Sequence, residues 1–450
     1  MWNWQLNQLW HKLRQPGVYS TIARGAAAAL AIQILSIALN YTVNVLLARW
    51  MGVSDYGVFQ YAYTINLVLS FVAGFGVSGA VLRFIPEYIV KQDWQHLRGI
   101  LQSSWIQTLV VSVIISGCST IWLIWQNTLV EVKNFTSLLL GIWGVPLLSL
   151  FRLQQDTARA LRQIILAFTP FQLVYPILLI GISFFWLKVH HNLNSVLVLS
   201  FSLGILLILL GIQLLLLSRF FPREINHVNS VINWRYWLSV SLPLLFLDSS
   251  FMVLNQMDTL LIGTMLGTKS VGIYNAASQT ASGVNIVLVA VNSIAAPEFA
   301  SLYAKGNISG LQKLTSTIAK WMFFPTLVIA SGLILFAEPI LNLFGLDFVA
   351  GKWAMISLVL GQLVNVGSGS VGYLLIMTGH QNQSAKVIGI CALINIALNF
   401  MAIPTLGILG AGLATGFSMA LWNIWLNALV VKYLNINPSI VTALTIEHTR

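Results

Sequence analysis

Apolar residues in this chain come in long blocks, and the polar positions inside those blocks are few and regularly placed. Crossing a bilayer as a helix takes about 20 predominantly apolar residues. By that measure twelve blocks qualify, at 25–48, 60–82, 100–125, 135–153, 164–187, 195–218, 238–264, 274–296, 318–337, 353–378, 384–404 and 408–431. Pro146, Pro170 and Pro176 interrupt the fourth and fifth blocks, which a spanning helix tolerates where neighbours re-satisfy the freed carbonyl. The pattern predicts an all-α polytopic membrane protein with both ends on one side of the membrane.

The polar positions carry a second pattern. Gln33, Asn40 and Asn44 lie at i, i+7 and i+11, one face of a helix. At an offset of 215 they fall under Asp248, Asn255 and Thr259, while Gly52, Gly57 and Ala62 fall under Gly267, Gly272 and Ala277. The PEY at 86–88 answers the PEF at 297–299. Six helices per repeat is an even number, so the repeats share one orientation. The expected organisation is an interfacial segment at 1–24, an N-lobe at 25–218, a linker at 219–237, a C-lobe at 238–432 and a tail at 433–450. Two lobes with facing polar stripes imply a central cavity and alternating access.

Composition agrees with this picture. The 450 residues are 57% hydrophobic and 8% charged, against about 25% charged in a soluble domain. The net charge of +11 would suggest nucleic acid in a soluble chain, but the basic residues are dispersed between apolar blocks. Eighteen Lys and Arg fall on the side of the N-terminus and five on the other, so both termini are expected in the cytoplasm. The loops are too short for a soluble catalytic domain, and HExxH, P-loop and GxSxG patterns are absent. No cofactor or metal is expected. Cys118 and Cys391 sit in apolar blocks and read as small core residues.

Candidate chemistry is confined to polar residues within the blocks. Asp248 is expected near mid-bilayer, where a carboxylate is costly and points to function. It is the first candidate for ion coupling. Asp258 is the second, although its place toward the outer helix end favours packing. Gln33, Asn40, Asn44, Asn255, Thr259, Ser278, Ser282, Asn285, Gln362, Asn365 and Asn395, with Asp248, are candidates to line the cavity. Neutral hydroxyls and amides of this kind suit hydroxyl-rich solutes. Arg24, Arg83, Arg152, Arg235 and Lys320, at expected cytoplasmic helix ends, could collect an anionic headgroup. The positive-inside rule is the favoured explanation for any one of them. Arg49 reads as an anchor at the outer membrane surface.

Several segments resemble the polysaccharide-exporter (Wzx-type) flippases of the MOP superfamily, which also holds the MATE drug exporters and the lipid II flippases. They are LLARWMGVSDYGVFQYA, LRFIPEY, MDTLLIGTMLGTKSVGIYNAA and NIALNFMAIPTLGILGAGLAT. The resemblance implies two six-helix lobes and a cargo of undecaprenyl-pyrophosphate-linked oligosaccharide, moved across a bacterial inner membrane. It also implies a monomer whose partners are membrane lipid and the polysaccharide polymerase and chain-length machinery, without nucleic acid. The first helix lacks the acid found in many MATE proteins, which disfavours a cation-coupled multidrug exporter. The chain lacks two extra C-terminal helices, which disfavours a lipid II flippase. An intramembrane polymerase or ligase would need a long outer loop.

Overall fold

The structure is a computed structural model. It describes residues 18–440 other than 75, 130–133, 223 and 226–227, and the backbone alone at 18–30, 129, 240–248 and 293–294. Most of the segment expected at 1–24 therefore lies outside the described residues, as do the tail from 441 onward and the side chains of Arg24 and Asp248. All regular structure among the described residues is helical. The helices are α1 (Val18–Gly74), α2 (Val77–Lys91), α3 (Trp94–Leu129), α4 (Phe135–Ala160), α5 (Ile164–His190), α6 (Ser195–Leu217), α7 (Trp234–Met265) and α8 (Thr268–Ser282). There follow α9 (Ile286–Ala304), α10 (Ile308–Leu335), α11 (Ala337–Asn342), α12 (Lys352–Gly367), α13 (Val371–Met377), α14 (Gln381–Leu406) and α15 (Ile408–Leu434).

Among the described residues nine helices are long and apolar enough to cross a membrane, or ten if the bent pair Thr268–Asn292 and Ala295–Ala304 is one span. One of the nine is the 44-residue stretch Ala31–Gly74. Straight, it would reach about 66 Å, more than twice the bilayer core. It does not stay straight, because Gly52 interrupts it at φ 79° and ψ 168°. Gly267, 215 residues on, separates α7 from α8 at φ 86° and ψ 170°. Positive φ of this kind is open to glycine and strained for other residues, so the repeated glycines make the same turn twice.

Two predicted spans are discontinuous. The block at 60–82 breaks between α1 and α2, where Gly76 stands at φ 74°. The block at 353–378 breaks between α12 and α13, where Gly369 has φ 81°. Hydropathy could not reveal either break, because the interrupting residues are themselves apolar or small.

Glycine also sets the closest helix packing. A Cβ on Gly361 of α12 would lie 2.7 Å from the Cα of Gly416 in α15, and one on Gly412 would lie 2.4 Å from Ser357 Oγ. The GAGLATG run of α15 is thus the small-residue face that lets two membrane helices approach.

The cores are unequally shared. One large buried cluster joins residues from both repeats, including Tyr56, Ala62, Val271, Tyr274, Phe344 and Phe348. It lies toward the face remote from the termini. Toward the other face the core divides, with one main part around Phe84, Ile85, Leu97 and Trp237 and another around Phe299, Leu374, Cys391 and Val430. Smaller clusters lie at Ala158, Ala167 and Leu217 and at Leu254, Ile388 and Ala392. The halves are packed together at one end and separately cored at the other. Cys391 is buried, whereas Cys118 lies exposed on α3, on the face that carries the exposed side chains of Ile114, Ile121 and Trp122.

The segment after α6 is fastened to the first half. Arg98 Nη1 donates to Val228 O at 2.7 Å, Val231 N–H to Gln95 O at 3.1 Å, and Trp237 Nε1 to the Tyr88 hydroxyl at 2.9 Å. A Cβ on Gly99 would sit 1.9 Å from Val231 O, so glycine is what lets this strap lie against α3.

Candidate functional site

Asp258 is the most completely enclosed acid among the described residues. It stands on α7 about two and a half turns before the turn at Gly267 and is 4% exposed. The Tyr274 hydroxyl of α8 and the Thr415 hydroxyl of α15 both donate to Oδ2 at 2.5 Å, and Asn399 Nδ2 of α14 donates to Oδ1 at 2.9 Å. Asn395, one turn before Asn399, donates from Nδ2 to Thr415 Oγ1 at 3.1 Å and to Ser418 Oγ at 3.4 Å. Asn395, Asn399 and Ser418 are each 0% exposed. Four helices thus meet in one buried polar knot, held by neutral donors. Asn399 Oδ1 has no hydrogen-bond partner, which leaves a spare acceptor beside the carboxylate.

The sequence explains why these groups converge. NIALN places Asn395 and Asn399 on one face of α14 at i, i+4. On α15 the glycines and Thr415 share the inward face, so the small residues that permit close packing also deliver the hydroxyl. The place of Asp258 in the sequence favours packing, and the structure makes its carboxylate the hub of a four-helix contact. Asn395 joins it, enclosed in the knot rather than lining an open cavity. Tyr274, Thr415 and Ser418 were missed as site residues, although Tyr274 and Thr415 stand in the segments that carry the family resemblance.

A second constellation closes the remote end. The Tyr56 hydroxyl lies 2.9 Å from Asn44 Oδ1 and 3.0 Å from Asn275 Oδ1, so it can donate to either half; Gln60 Nε2 donates to Asn44 Oδ1 at 2.6 Å. Tyr41 and Thr280 hydroxyls lie 3.4 Å apart across the same boundary. Arg49 Nε donates to Leu343 O at 2.7 Å and Nη2 reaches Asn342 O at 3.5 Å. A guanidinium on the C-terminal carbonyls of α11 is a favourable charge–dipole contact. Arg49 is therefore a clasp between the halves, not merely a surface anchor.

Other candidates are scattered. Gln33, Asn40 and Asn255 are exposed, and the amides of Asn40 and Asn255 donate to their own helices, at Ser36 O (2.8 Å) and Phe251 O (2.6 Å). Thr259 is buried. Ser278 and Asn285 are half-buried, and Asn285 Oδ1 lacks a partner. Ser282 is exposed. Gln362, buried, accepts from Asn365 at 3.2 Å, away from Asp258. Arg83 and Arg235 are exposed and lie over the rings of Phe84 and Trp234. Arg152 is half-buried, and Lys320 is half-buried with a partner. Among the described residues no group of three or more His, Cys, Asp or Glu could hold a metal ion.

The comparisons agree with this architecture. Residues 22–303 match the family described as "Polysaccharide biosynthesis protein", and residues 243–401 match the family described as "MatE". A curated relative from Haloferax volcanii, the "Probable low-salt glycan biosynthesis flippase Agl15", is 22% identical over 89% of this chain and 81% of its own. Among solved structures, the lipid II flippase MurJ in an inward closed conformation aligns at TM-score 0.71 and 17% identity, over 90% of this chain and 87% of that one. An inward-facing multidrug resistance MATE transporter of the MOP superfamily aligns at TM-score 0.68 and 15% identity, over 91% and 99%. Its fold is shared with both transporters, and with well over half its length inside the first match this chain belongs to the polysaccharide biosynthesis protein family.

Proposed function

We propose that this protein is a flippase that carries a lipid-linked oligosaccharide across its membrane by alternating access. The single observation that carries the reading is the placement of repeat-equivalent carboxamides. Asn40 and Asn255 are both exposed on helices of an apolar bundle, and a polar amide at membrane depth is accommodated where it faces a water-filled space. With the halves joined at the remote end and separately cored near the termini, that space opens toward the termini. Neutral amides suit sugar hydroxyls, and the lipid tail stays in the bilayer while the head passes between the lobes. The termini face the cytoplasm in this reading, as the charge bias requires. The glycan flippase from Haloferax volcanii and the polysaccharide match support a glycan cargo.

Asp258 is the coupling group of this reading. An uncompensated carboxylate in a membrane interior costs at least about 2.5 kcal/mol, so a proton or a small cation cancels its charge. Losing that partner leaves the charge exposed to the knot formed by α7, α8, α14 and α15. The second reading, a cation-coupled multidrug exporter, draws on the same knot and on the MatE match over 243–401.

The deciding experiment reconstitutes the purified protein in liposomes with a fluorescent lipid-linked oligosaccharide and, separately, a cationic dye. Transfer of the glycolipid between leaflets with no dye export supports the flippase. Dye export with no glycolipid transfer overturns it in favour of the exporter.

A further inference from the structure

A cavity of about 300 Å³ lies where α1, α2, α3 and α4 meet, at the lower end of the volumes that ligand sites occupy. It is built on the break between α1 and α2. Gly76, at φ 74°, caps the 15-residue helix α2 without any side-chain hydrogen bond, and Val77 and Ser78 of its first turn line the wall. The first amides of a helix carry partial positive charge and have no partner within it. Arg152 of α4 also lines the cavity. Its guanidinium lies 5.8 Å from the Phe71 ring centroid, and among the described residues no acid pairs with it. Asp156, one turn on and also at the cavity, is taken by Arg159 at 2.8 Å. Thr108 of α3 completes the set: it lines the cavity, is 0% exposed, and its Oγ1 has no hydrogen-bond partner.

We propose that this cavity binds a phosphate-ester or free phosphate anion, held by the Arg152 guanidinium, the Thr108 hydroxyl and the first amides of α2. Three kinds of donor from three helices line one space. Thr108 Oγ1 has no partner, and Arg152 forms no ion pair among the described residues and feels Asp156 only through space. Of the first amides of α2, those of Gly79 and Ala80 are turned back to Gly76 O. A planar fork of N–H donors matches phosphate oxygens two at a time, and a helix N-terminus favours the same charge. Ser70 and Ser149, on the same wall, already spend their protons on Asn66 O and Pro146 O, while Ser78 and Gln155 add a hydroxyl and an amide to the lining. The anion comes either from the diphosphate of a lipid-linked cargo or from the aqueous phase. The lipid source rests on the flippase reading, and the anion site itself does not.

The test uses the full chain in lipid nanodiscs, titrated with inorganic pyrophosphate and, separately, with a prenyl diphosphate in the bilayer, and read by tryptophan fluorescence. Saturable binding is expected, weakened about tenfold or more by Arg152→Ala, less by Arg152→Lys, and about threefold to tenfold by Thr108→Val. Tighter binding of the prenyl diphosphate assigns the lipid headgroup, and equal binding assigns free phosphate; both keep the site. No saturable binding, or wild-type affinity in the folded variants, overturns it. Should Arg152→Ala fail to fold, Arg152→Lys and Thr108→Val decide by the same criterion. Glycolipid transfer measured on the same samples separates the two ideas. Transfer with unchanged anion affinity sinks the site alone, and anion binding without transfer sinks the flippase alone.

Discussion

Gly57 and Gly272, 215 residues apart and equivalent in the repeat, touch each other backbone to backbone. A Cβ on Gly57 would stand 1.9 Å from Thr268 O and 3.0 Å from Gly272 N, and one on Gly272 would stand 2.7 Å from Val53 O and 3.1 Å from Gly57 Cα. Main chain cannot swing aside as a long side chain can. Gly57→Ala should therefore push the halves apart at the remote end, costing the closed arrangement about 1–3 kcal/mol, roughly a fivefold to hundredfold shift toward opening. Gly272→Ala should do the same more weakly. Spin-label distances across the remote face will read the shift; unchanged distances in Gly57→Ala would show that the contact does not hold that end closed.

Arg49 should matter less, and in a graded way. Its contacts are charge-assisted but exposed, so Arg49→Ala should favour opening by about 1 kcal/mol, roughly fivefold in the same distance measurement. Lys keeps the charge and one donor, so Arg49→Lys should fall between. A purely surface-anchoring arginine would leave the distances unaltered in both variants.

Asp258→Asn keeps the shape of the side chain but replaces one acceptor oxygen with a donor that faces other donors. The mismatch should destabilise the folded protein by about 1–3 kcal/mol and leave transport, where it persists, insensitive to the ion gradient. Thr415→Val and Tyr274→Phe remove one donor each and should retain the gradient dependence with reduced rate. Gradient-driven flux at the wild-type rate in Asp258→Asn would remove the carboxylate from coupling.

The ion pair of Lys352 with Glu338, at 2.8 Å, makes a pH prediction. The lysine's hydrogen bond and charge hold the Glu338 carboxyl below its ordinary range. A carboxylate with a lowered folded value stabilises above its unfolded value, and that contribution fades as pH falls through the lowered one. The pair is solvent-exposed, so the effect is small. A melting-temperature difference between wild type and Glu338→Gln should be visible near neutrality and vanish in acid. A difference that grows on acidification would reverse the sign of the argument.

Much of this architecture is legible in the sequence, because hydropathy blocks and repeated glycines are local signals. The offset of 215 placed Gly52 opposite Gly267, and their backbones share one conformation. The breaks at Gly76 and Gly369 were hidden, since a discontinuity made of glycine and small apolar residues leaves hydropathy unchanged. The site was harder to see. Mid-bilayer position drew attention to Asp248, whose side chain lies outside the described residues. The enclosed acid among the described residues is Asp258, whose partners Asn399 and Thr415 are 141 and 157 residues away. Nothing in a single sequence joins residues at that distance. Arg49 shows the same limit, since carbonyls 293 and 294 residues away leave no mark on composition or charge.

The strap after α6 has a mechanical consequence. Through Trp237 the first turns of α7 are bound to the N-terminal half, while its later turns seat Asp258 among α14 and α15. A helix of 32 residues is stiff along about 48 Å, so it cannot belong to both halves without transmitting torque between them. Any rocking of the halves must bend or twist α7 along the way, and that load arrives at the carboxylate. In the proposed alternating-access reading, the helix would act as a crankshaft, gearing the mouth near the termini to the charge state of one buried acid.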